Sequence, residues 1–469
     1  MPLVVDLDGT LIKTDLLLES LYAAVRQNPI LVFYVPFWIL AGKASLKGQL
    51  SKRAHINVKT LPYNEEFLEY LRQRSSQGQT LVLATASVKE YADNIASYLG
   101  IFHEVIATDG KTNLKGKNKL KVLLAKYGEK GFDYAGDDLA DLHIFPHARH
   151  AIVVKPSTAV LNAAKRLPNV EKVFAASHPT LKIYIKAIRA YQWLKNSLLF
   201  VPFFASHSWD NQTAITHVIL GFISFSLCAS GGYVLNDMLD LESDRDHPRK
   251  RFRPFACGDV SLWTGSFLML AMQACGLALA ASINLNFAAA LVVYCVLSFS
   301  YTVHLKTYVL IDVLILAGLY TLRVIAGGLL IERELSFWLI GFSIFIFFSL
   351  ALVKRCSELF TLSKTDKDHA GARDYGVSDL EYLREMGIAS GYMAILIFAF
   401  YINSPEMTKL YSHPHILWFA VPVLFYWISR IWLKTGRGEM HDDPIVFSLK
   451  DRGSRFVAAA FVLIILLAV

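Results

Sequence analysis

Apolar and polar positions follow two different patterns along this chain. Up to about residue 175, short apolar runs alternate with charged stretches, as in a soluble α/β domain. Pro2 to Val5 reads as a buried strand, Leu81 to Ser87 as a second that ends in hydroxyls, and Phe132 to Asp141 supplies a third capped by acids. From about residue 181 onward, apolar stretches of membrane-spanning length recur to the end. Nine spans are predicted, at 183–205, 213–235, 261–282, 284–302, 308–330, 335–353, 386–403, 414–433 and 453–469. The expected organisation is an α/β head over 1–175, a linker over 176–182 and an all-α membrane domain over 183–469.

Charge sets the orientation. Lys and Arg concentrate in alternate loops, around 245–253, 304–306, 354–384 and 434–452, which should be cytoplasmic. The connections near 206–213, 282–285, 331–335 and 404–413 are poor in Lys and Arg and belong on the far side, with the head inside. The formal net charge of +8 is then explained by topology and anionic lipid, and nothing in it calls for nucleic acid. The five cysteines have no paired spacing, so neither a disulfide framework nor a zinc site is indicated. No cleavable signal peptide is expected ahead of the first strand.

The first apolar strand ends in Asp6-Leu7-Asp8-Gly9-Thr10, at the edge where open α/β sheets place ligands. Two aspartates at i and i+2 can divide labour: one attacks phosphorus, the other protonates the leaving oxygen and then activates water. The second strand runs into the hydroxyls of Thr85 and Ser87, Gly116-Lys117-Asn118-Lys119 opens a helix, and Gly136-Asp137-Asp138-Leu139-Ala140-Asp141 closes the third strand with acids. Four such motifs in order resemble the haloacid dehalogenase (HAD) superfamily, which implies a Rossmann-like fold and Mg²⁺-dependent phosphatase chemistry. The resemblance makes Asp6 the nucleophile and Asp8 the acid/base. It gives Thr85 and Lys119 the phosphoryl group, with Lys115 and Lys117 as close competitors, and draws the Mg²⁺ set from Asp6, Asp8, Asp137 and Asp141. A helical cap is expected within about 11–80. Its segment Ile30 to Ala41 is unusually apolar, too short to span a bilayer, and reads either as the cap's own core or as a helix dipping into the membrane interface.

Between the second and third predicted spans lies Asn236 to Gly258, NDMLDLESDRDHPRKRFRPFACG. On a helix, Asp237, Asp240 and Asp244 share one face, where their repulsion calls for a cation, and Arg245, Arg249, Lys250, Arg251 and Arg253 suit a polyanionic substrate. This run resembles the first aspartate motif of the UbiA-type intramembrane prenyltransferase superfamily. Lys306 and Arg323 also resemble family positions, and an arginine within a span needs a polar cavity or partner. The resemblance implies Mg²⁺ held by Asp237 and Asp240, assisted by Asp244 and Asn236.

The second acidic motif usual in that superfamily is not evident. Lys354-Arg355 stands there instead, and Asp366, Asp368, Asp374 and Asp379 lack its spacing. That departure resembles the branch making polyprenylphosphoryl-5-phosphoribose, with phosphoribosyl diphosphate as donor and polyprenyl phosphate as acceptor. Lys306, Arg323, Lys354, Arg355, Arg251 and Arg253 are then candidate phosphate binders. The expected protein is a bifunctional enzyme of the bacterial inner membrane, with both active sites on the cytoplasmic side and Mg²⁺ in both domains. The alternatives are an aromatic polyprenyltransferase with an unrelated phosphatase, or a lipid-binding protein without turnover. Prenyl length and oligomeric state are left open by the sequence.

Overall fold

The structure, a computed structural model, describes residues 1–108, 114–175, 179–363, 374–440 and 444–469. In the head the apolar runs become strands: Leu3–Val5 (β1), Leu81–Val88 (β2), Glu104–Thr108 (β3), Asp133–Gly136 (β4), Ala151–Val154 (β5) and Val170–Phe174 (β6). They form one sheet in the order β3-β2-β1-β4-β5-β6, every pairing parallel. Leu3, Val5, Leu81, Leu83, Ile152 and Val154 enter one core, and the alternate residues Val4, Val82, Ala84, Ala151 and Val153 enter the other. Both faces are covered, so each strand reads as a nearly continuous apolar run.

The covering helices are Leu16–Gln27 (α1), Leu31–Leu40 (α2), Lys43–Ser51 (α3), Glu65–Ser76 (α4), Lys89–Leu99 (α5), Lys117–Tyr127 (α6) and Thr158–Ala164 (α7). Of these, α1 to α3 form the expected cap, around a small core of Ala24, Leu31, Leu46, Leu50 and Ala54. Leu3 pairs with Leu81 on one side and Asp133 on the other, so the chain enters the sheet at its middle. Strand order reverses between β1 and β4. The carboxyl ends of those two neighbours, which lead into Asp6 and Asp137, flank the crevice that such a reversal creates.

The chain divides into two compact units: Met1–Ala190 with Tyr233–Leu270, and Tyr191–Gly232 with Ala271–Val469. The aspartate-rich run therefore belongs to the unit that contains the head. Within that unit α1 presents a polar stripe, at i, i+4, i+7 and i+11. Asp15 accepts from Trp263 Nε1 (3.1 Å), Glu19 from Arg245 (2.6 and 3.2 Å), and the hydroxyls of Tyr22 and Ser266 lie 2.6 Å apart. At the end of the stripe, Arg26 Nη1 is 3.2 Å from Asp240.

Among the described residues, seven helices are long and apolar enough to cross a membrane: Gln212–Leu239, Leu262–Ile283, Leu285–Val303, Ile311–Leu330, Phe337–Ser363, Val377–Ile402 and Pro414–Gly436. They coincide with seven of the nine predicted spans. The other two differ in kind. Residues 183–205 are broken into a short helix Leu181–Ala187, a 3₁₀ run Ala190–Phe200 and a short helix Val201–Ala205, because Arg189 takes a left-handed backbone (φ 52°) and Pro202 restarts the chain. The last predicted span is one helix of 17 residues, Arg452–Ala468, below the length of the seven. In the second unit the helices pack on small residues: a Cβ at Gly387 would overlap Trp432, and one at Gly391 would lie 2.7 Å from Ile428 Cγ2.

Candidate active sites

The head's site forms at the β1/β4 reversal. Asp6 follows β1 directly, and its amide donates to the Ala135 carbonyl of β4 (3.0 Å). Asp137 follows β4, and Asp141 sits four residues further on, in the 3₁₀ segment Leu139–His143. One carboxylate oxygen from each of Asp6, Asp137 and Asp141 can be chosen so that all three lie within 4.8 Å of one another, the arrangement a hard divalent cation takes. Thr10 donates to Asp137 Oδ1 (2.7 Å), and Asp141 is held by Tyr134 (2.7 Å) and the amides of Asp137 and Asp138 (3.1 and 3.0 Å). Crowding shows in their acidity. Burial, then the charges of Asp6 and Asp141, holds the Asp137 carboxyl well above its usual range, and burial, then Asp6, pushes Asp141 up to about 6.

Lys119 reaches this group from the first turn of α6, buried, with Nζ 2.8 Å from Asp6 Oδ1 and 3.1 Å from the Tyr134 hydroxyl. Burial works to lower its pKa, but the charges of Asp6 and Asp141 outweigh it and keep the ammonium above its ordinary value. Lys115 instead pairs with Asp138 (2.9 Å) and Lys117 is exposed, so of the three lysines it is Lys119 that meets the nucleophile candidate. Asp8 points elsewhere, accepting from Ser87 Oγ (2.5 Å) and the Leu16 amide (2.8 Å), and is not among the converging carboxylates. Burial first, then the charge of Asp15, pushes Asp8 up to about 7, which suits a group that must carry a proton near neutrality. Thr85 is buried and its hydroxyl accepts from the Ser87 amide (2.9 Å).

The aspartate-rich run departs from the single helical face expected of it. The helix ends at Leu239, Asp240 takes φ −97° and ψ 14°, and a short helix Leu241–Asp246 follows. Asp237 is paired with Arg189 (Nε at 3.1 Å) and with Arg253 (3.0 Å), Asp244 with Arg253 (2.5 Å), and Asp240 with Arg26. The repulsion that called for a cation is answered here by guanidinium groups. Among the described residues the convergent metal-type cluster is Asp6, Asp137 and Asp141, while Asp237, Asp240 and Asp244 lie in ion pairs with arginines. Asn236 is half-buried beside it, while Arg251 is exposed with its guanidinium over the Phe252 ring (4.9 Å).

Two arginines lie inside spans of the second unit. Arg323 is buried, bonding Asn196 Oδ1 (2.9 Å), the Leu319 carbonyl (2.6 Å) and the Tyr294 hydroxyl (3.0 Å), among the rings of Phe225, Tyr294 and Tyr320. Arg355 is fully buried, with Nε 2.5 Å from Asp312 Oδ2 and further bonds to Glu358 and to Tyr301 (3.1 Å). Asp312 also accepts from Tyr375 (2.5 Å). Lys306 and Lys354 are half-buried.

Residues 197–449, more than half of the chain, match the UbiA prenyltransferase family. The chain belongs to the UbiA prenyltransferase family. Residues 3–145 of this UbiA protein match the haloacid dehalogenase-like hydrolases, so an N-terminal HAD domain precedes the membrane domain. Among its relatives, the uncharacterized protein y4nM of Sinorhizobium fredii is 37% identical over 98% of this chain and 89% of its own. Nodulation protein NoeC of Azorhizobium caulinodans is 32% identical over 60% of this chain and 92% of its own. Decaprenyl-phosphate phosphoribosyltransferase of Mycobacterium tuberculosis is 30% identical over 59% of this chain and 91% of its own. This is an integral membrane protein pairing a UbiA-type transferase domain, related to decaprenyl-phosphate phosphoribosyltransferase, with a HAD phosphatase domain.

For the UbiA protein so placed, the structure brings Asp6, Asp137, Asp141 and Lys119 together, sets Asp8 beside Ser87, and gathers Asp237 and Asp244 around Arg253. Asp366 and Asp368 lie outside the described residues. Sequence reasoning missed Ser87 as the partner of Asp8, Tyr134 as that of Lys119 and Asp141, Arg189 and Arg26 as those of the aspartate run, and Asp312 and Tyr375 as those of Arg355. Asp312 alone carried a signal, an acid in the same apolar segment as Arg323. Gly9 is fixed by geometry: its φ is 80°, and a Cβ there would overlap the Asp137 carboxylate. Gly9→Ala is expected to lower kcat/KM on a soluble aryl phosphate by about 10²-fold by displacing that carboxylate, with the thermal midpoint of the full chain checked alongside.

Proposed function

We propose that the membrane domain transfers 5-phosphoribose from phosphoribosyl diphosphate to a polyprenyl phosphate, and that the HAD domain removes the 5-phosphate to leave polyprenylphosphoryl ribose. The observation that carries this reading is the assembled phosphatase constellation, Asp6 with Lys119, Asp137 and Asp141, on a chain whose other half is related to a phosphoribosyltransferase. A transferase whose product carries a phosphomonoester would hand the phosphatase its substrate.

In the phosphatase step Asp6 attacks phosphorus while Lys119 balances charge at the nucleophile and the phosphoryl oxygens. Asp8, held by Ser87 and the Leu16 amide, gives its proton to the departing ribose oxygen and then takes one from the water that hydrolyses the aspartyl phosphate. Thr85 would help hold the phosphoryl group. Mg²⁺ held by Asp6, Asp137 and Asp141 would supply charge neutralisation between nucleophile and phosphate.

In the transfer step the acceptor's phosphate oxygen is already ionised, so attack on the anomeric carbon needs no general base. The barrier lies in releasing diphosphate, which cationic side chains lower. Arg251, Arg253, Lys306 and Lys354 are assigned that role, with Asp237 and Asp244 orienting Arg253, and Mg²⁺ held by Asp237 and Asp240, assisted by Asp244 and Asn236, would add charge neutralisation. Arg323 and Arg355, enclosed by protein partners, are assigned to holding the spans. Residence in the bacterial inner membrane, with the head and basic loops cytoplasmic, belongs to the same proposal, as does a nine-span count that adds 183–205 and 453–469.

The test is product analysis. Purified full chain given phosphoribosyl diphosphate and polyprenyl phosphate is expected to release diphosphate and yield a ribosylated lipid, seen by mass spectrometry. Prenylation of 4-hydroxybenzoate from polyprenyl diphosphate, with no ribosylated lipid, would overturn it in favour of aromatic prenyl transfer.

A further inference from the structure

The cap contains a helix that its own domain does not bury. In α2, LVFYVPFWIL, Leu31 is the buried residue, while Phe33 is 74% exposed, Phe37 68%, Tyr34 52% and Leu40 85%. A large aromatic side chain presents roughly 150–250 Å². Three rings exposed to this extent alone give about 300–500 Å² of apolar surface, as much as the largest patch on a typical monomer, before Ile30, Ile39 and Leu40 are counted. The exposure runs around most of the helix, so no single groove of a globular partner would cover it.

Charge around the helix identifies what does. Residues 29–42 contain no charged side chain. From residue 20 to residue 64 there is no Asp or Glu, but there are six basic residues, Arg26, Lys43, Lys47, Lys52, Arg53 and Lys59. Arg26 and Lys47 are engaged with Asp240 and the Ala86 carbonyl, whereas Lys52, Arg53 and Lys59 are exposed. An uncharged apolar helix of 10 residues, too short to span, within a purely basic segment of a chain that is itself membrane-embedded, has the composition of an interfacial anchor for anionic lipid.

We propose that α2 lies in the bilayer interface, its rings among the acyl chains and the basic residues of the cap against anionic headgroups. This goes beyond the enzymatic reading and does not depend on it. Where the proposed function also holds, it gives the cap a second task, holding the phosphatase crevice at the surface that presents a lipid-borne phosphomonoester.

The test places one reporter on the helix of the full chain in nanodiscs. Phe37→Trp is introduced into the Trp38→Phe chain, and its emission is taken as the difference from Trp38→Phe alone. Acyl-brominated lipids are expected to quench this component by half or more, aqueous iodide to leave it unaffected, and purely zwitterionic nanodiscs to weaken the bromolipid effect. Adding Phe33→Asp and Leu40→Asp should reverse both accessibilities with little change in thermal midpoint, since these side chains are already exposed. Quenching by iodide and not by bromolipid overturns the proposal. So does protection from both, which would mean that a second copy or another protein covers the helix, and so does bromolipid quenching that persists in the aspartate variant.

Discussion

Asp6→Asn is expected to cut release of inorganic phosphate by at least about 10³-fold while diphosphate release by the membrane domain continues at the wild-type rate. The substitution keeps the shape of a side chain that is held between Lys119 and the converging carboxylates, so the crevice should survive. What it removes is the attacking oxygen, and an amide neither forms the acyl phosphate nor completes a three-carboxylate cation site. The lipid product should accumulate as its 5-phosphorylated form, a mass difference of one phosphate from the wild-type product. Unchanged phosphate release would remove Asp6 from the nucleophile's role. Phosphate release lost from soluble aryl phosphates, with no phosphorylated lipid accumulating, would keep the phosphatase but detach it from the transferase's product.

Arg355→Leu is expected to destabilise the membrane domain by about 3–5 kcal/mol. Asp312 is fully buried, and its partners are Arg355 and the Tyr375 hydroxyl, so truncating the arginine leaves a carboxylate in an apolar span without its countercharge. Pairing the change with Asp312→Leu should restore most of the loss, because two apolar side chains of similar volume replace a buried ion pair at little net cost. The measurement is the thermal midpoint of single and double variants in the same detergent. A single variant that melts like wild type but needs more phosphoribosyl diphosphate for half-maximal rate would return Arg355 to the phosphate binders.

The sequence made legible whatever depended on local order. Val4 and Val82 are apolar because they sit in a sheet covered on both sides, so the strands that lead into Asp6 and Asp137, and the one that carries Thr85, could be placed by pattern. Seven spans were readable for the same reason. Two things were not. Residues 183–205 are apolar enough to span, yet Arg189 turns the backbone aside, and hydropathy does not see a left-handed residue. The aspartates at 237, 240 and 244 fall on one helical face only while the helix continues, and it ends at Asp240. Their partners, Arg26 and Arg189, lie far away in sequence, and pairings of that separation leave no periodic trace.

The stripe of Asp15, Glu19, Tyr22 and Arg26 along α1 bears on how such a chain could be taken apart or rebuilt. Arg245 is almost wholly enclosed and is matched by Glu19, itself buried and bonded to Thr14. A phosphatase borrowed from elsewhere and spliced on at residue 175 would bring no such carboxylate, and the stranded guanidinium would cost more than the exchange of two loose neighbours. The head is thus a fitted part rather than an interchangeable attachment, and chimaeras should work only when helix and loop are transplanted as a pair.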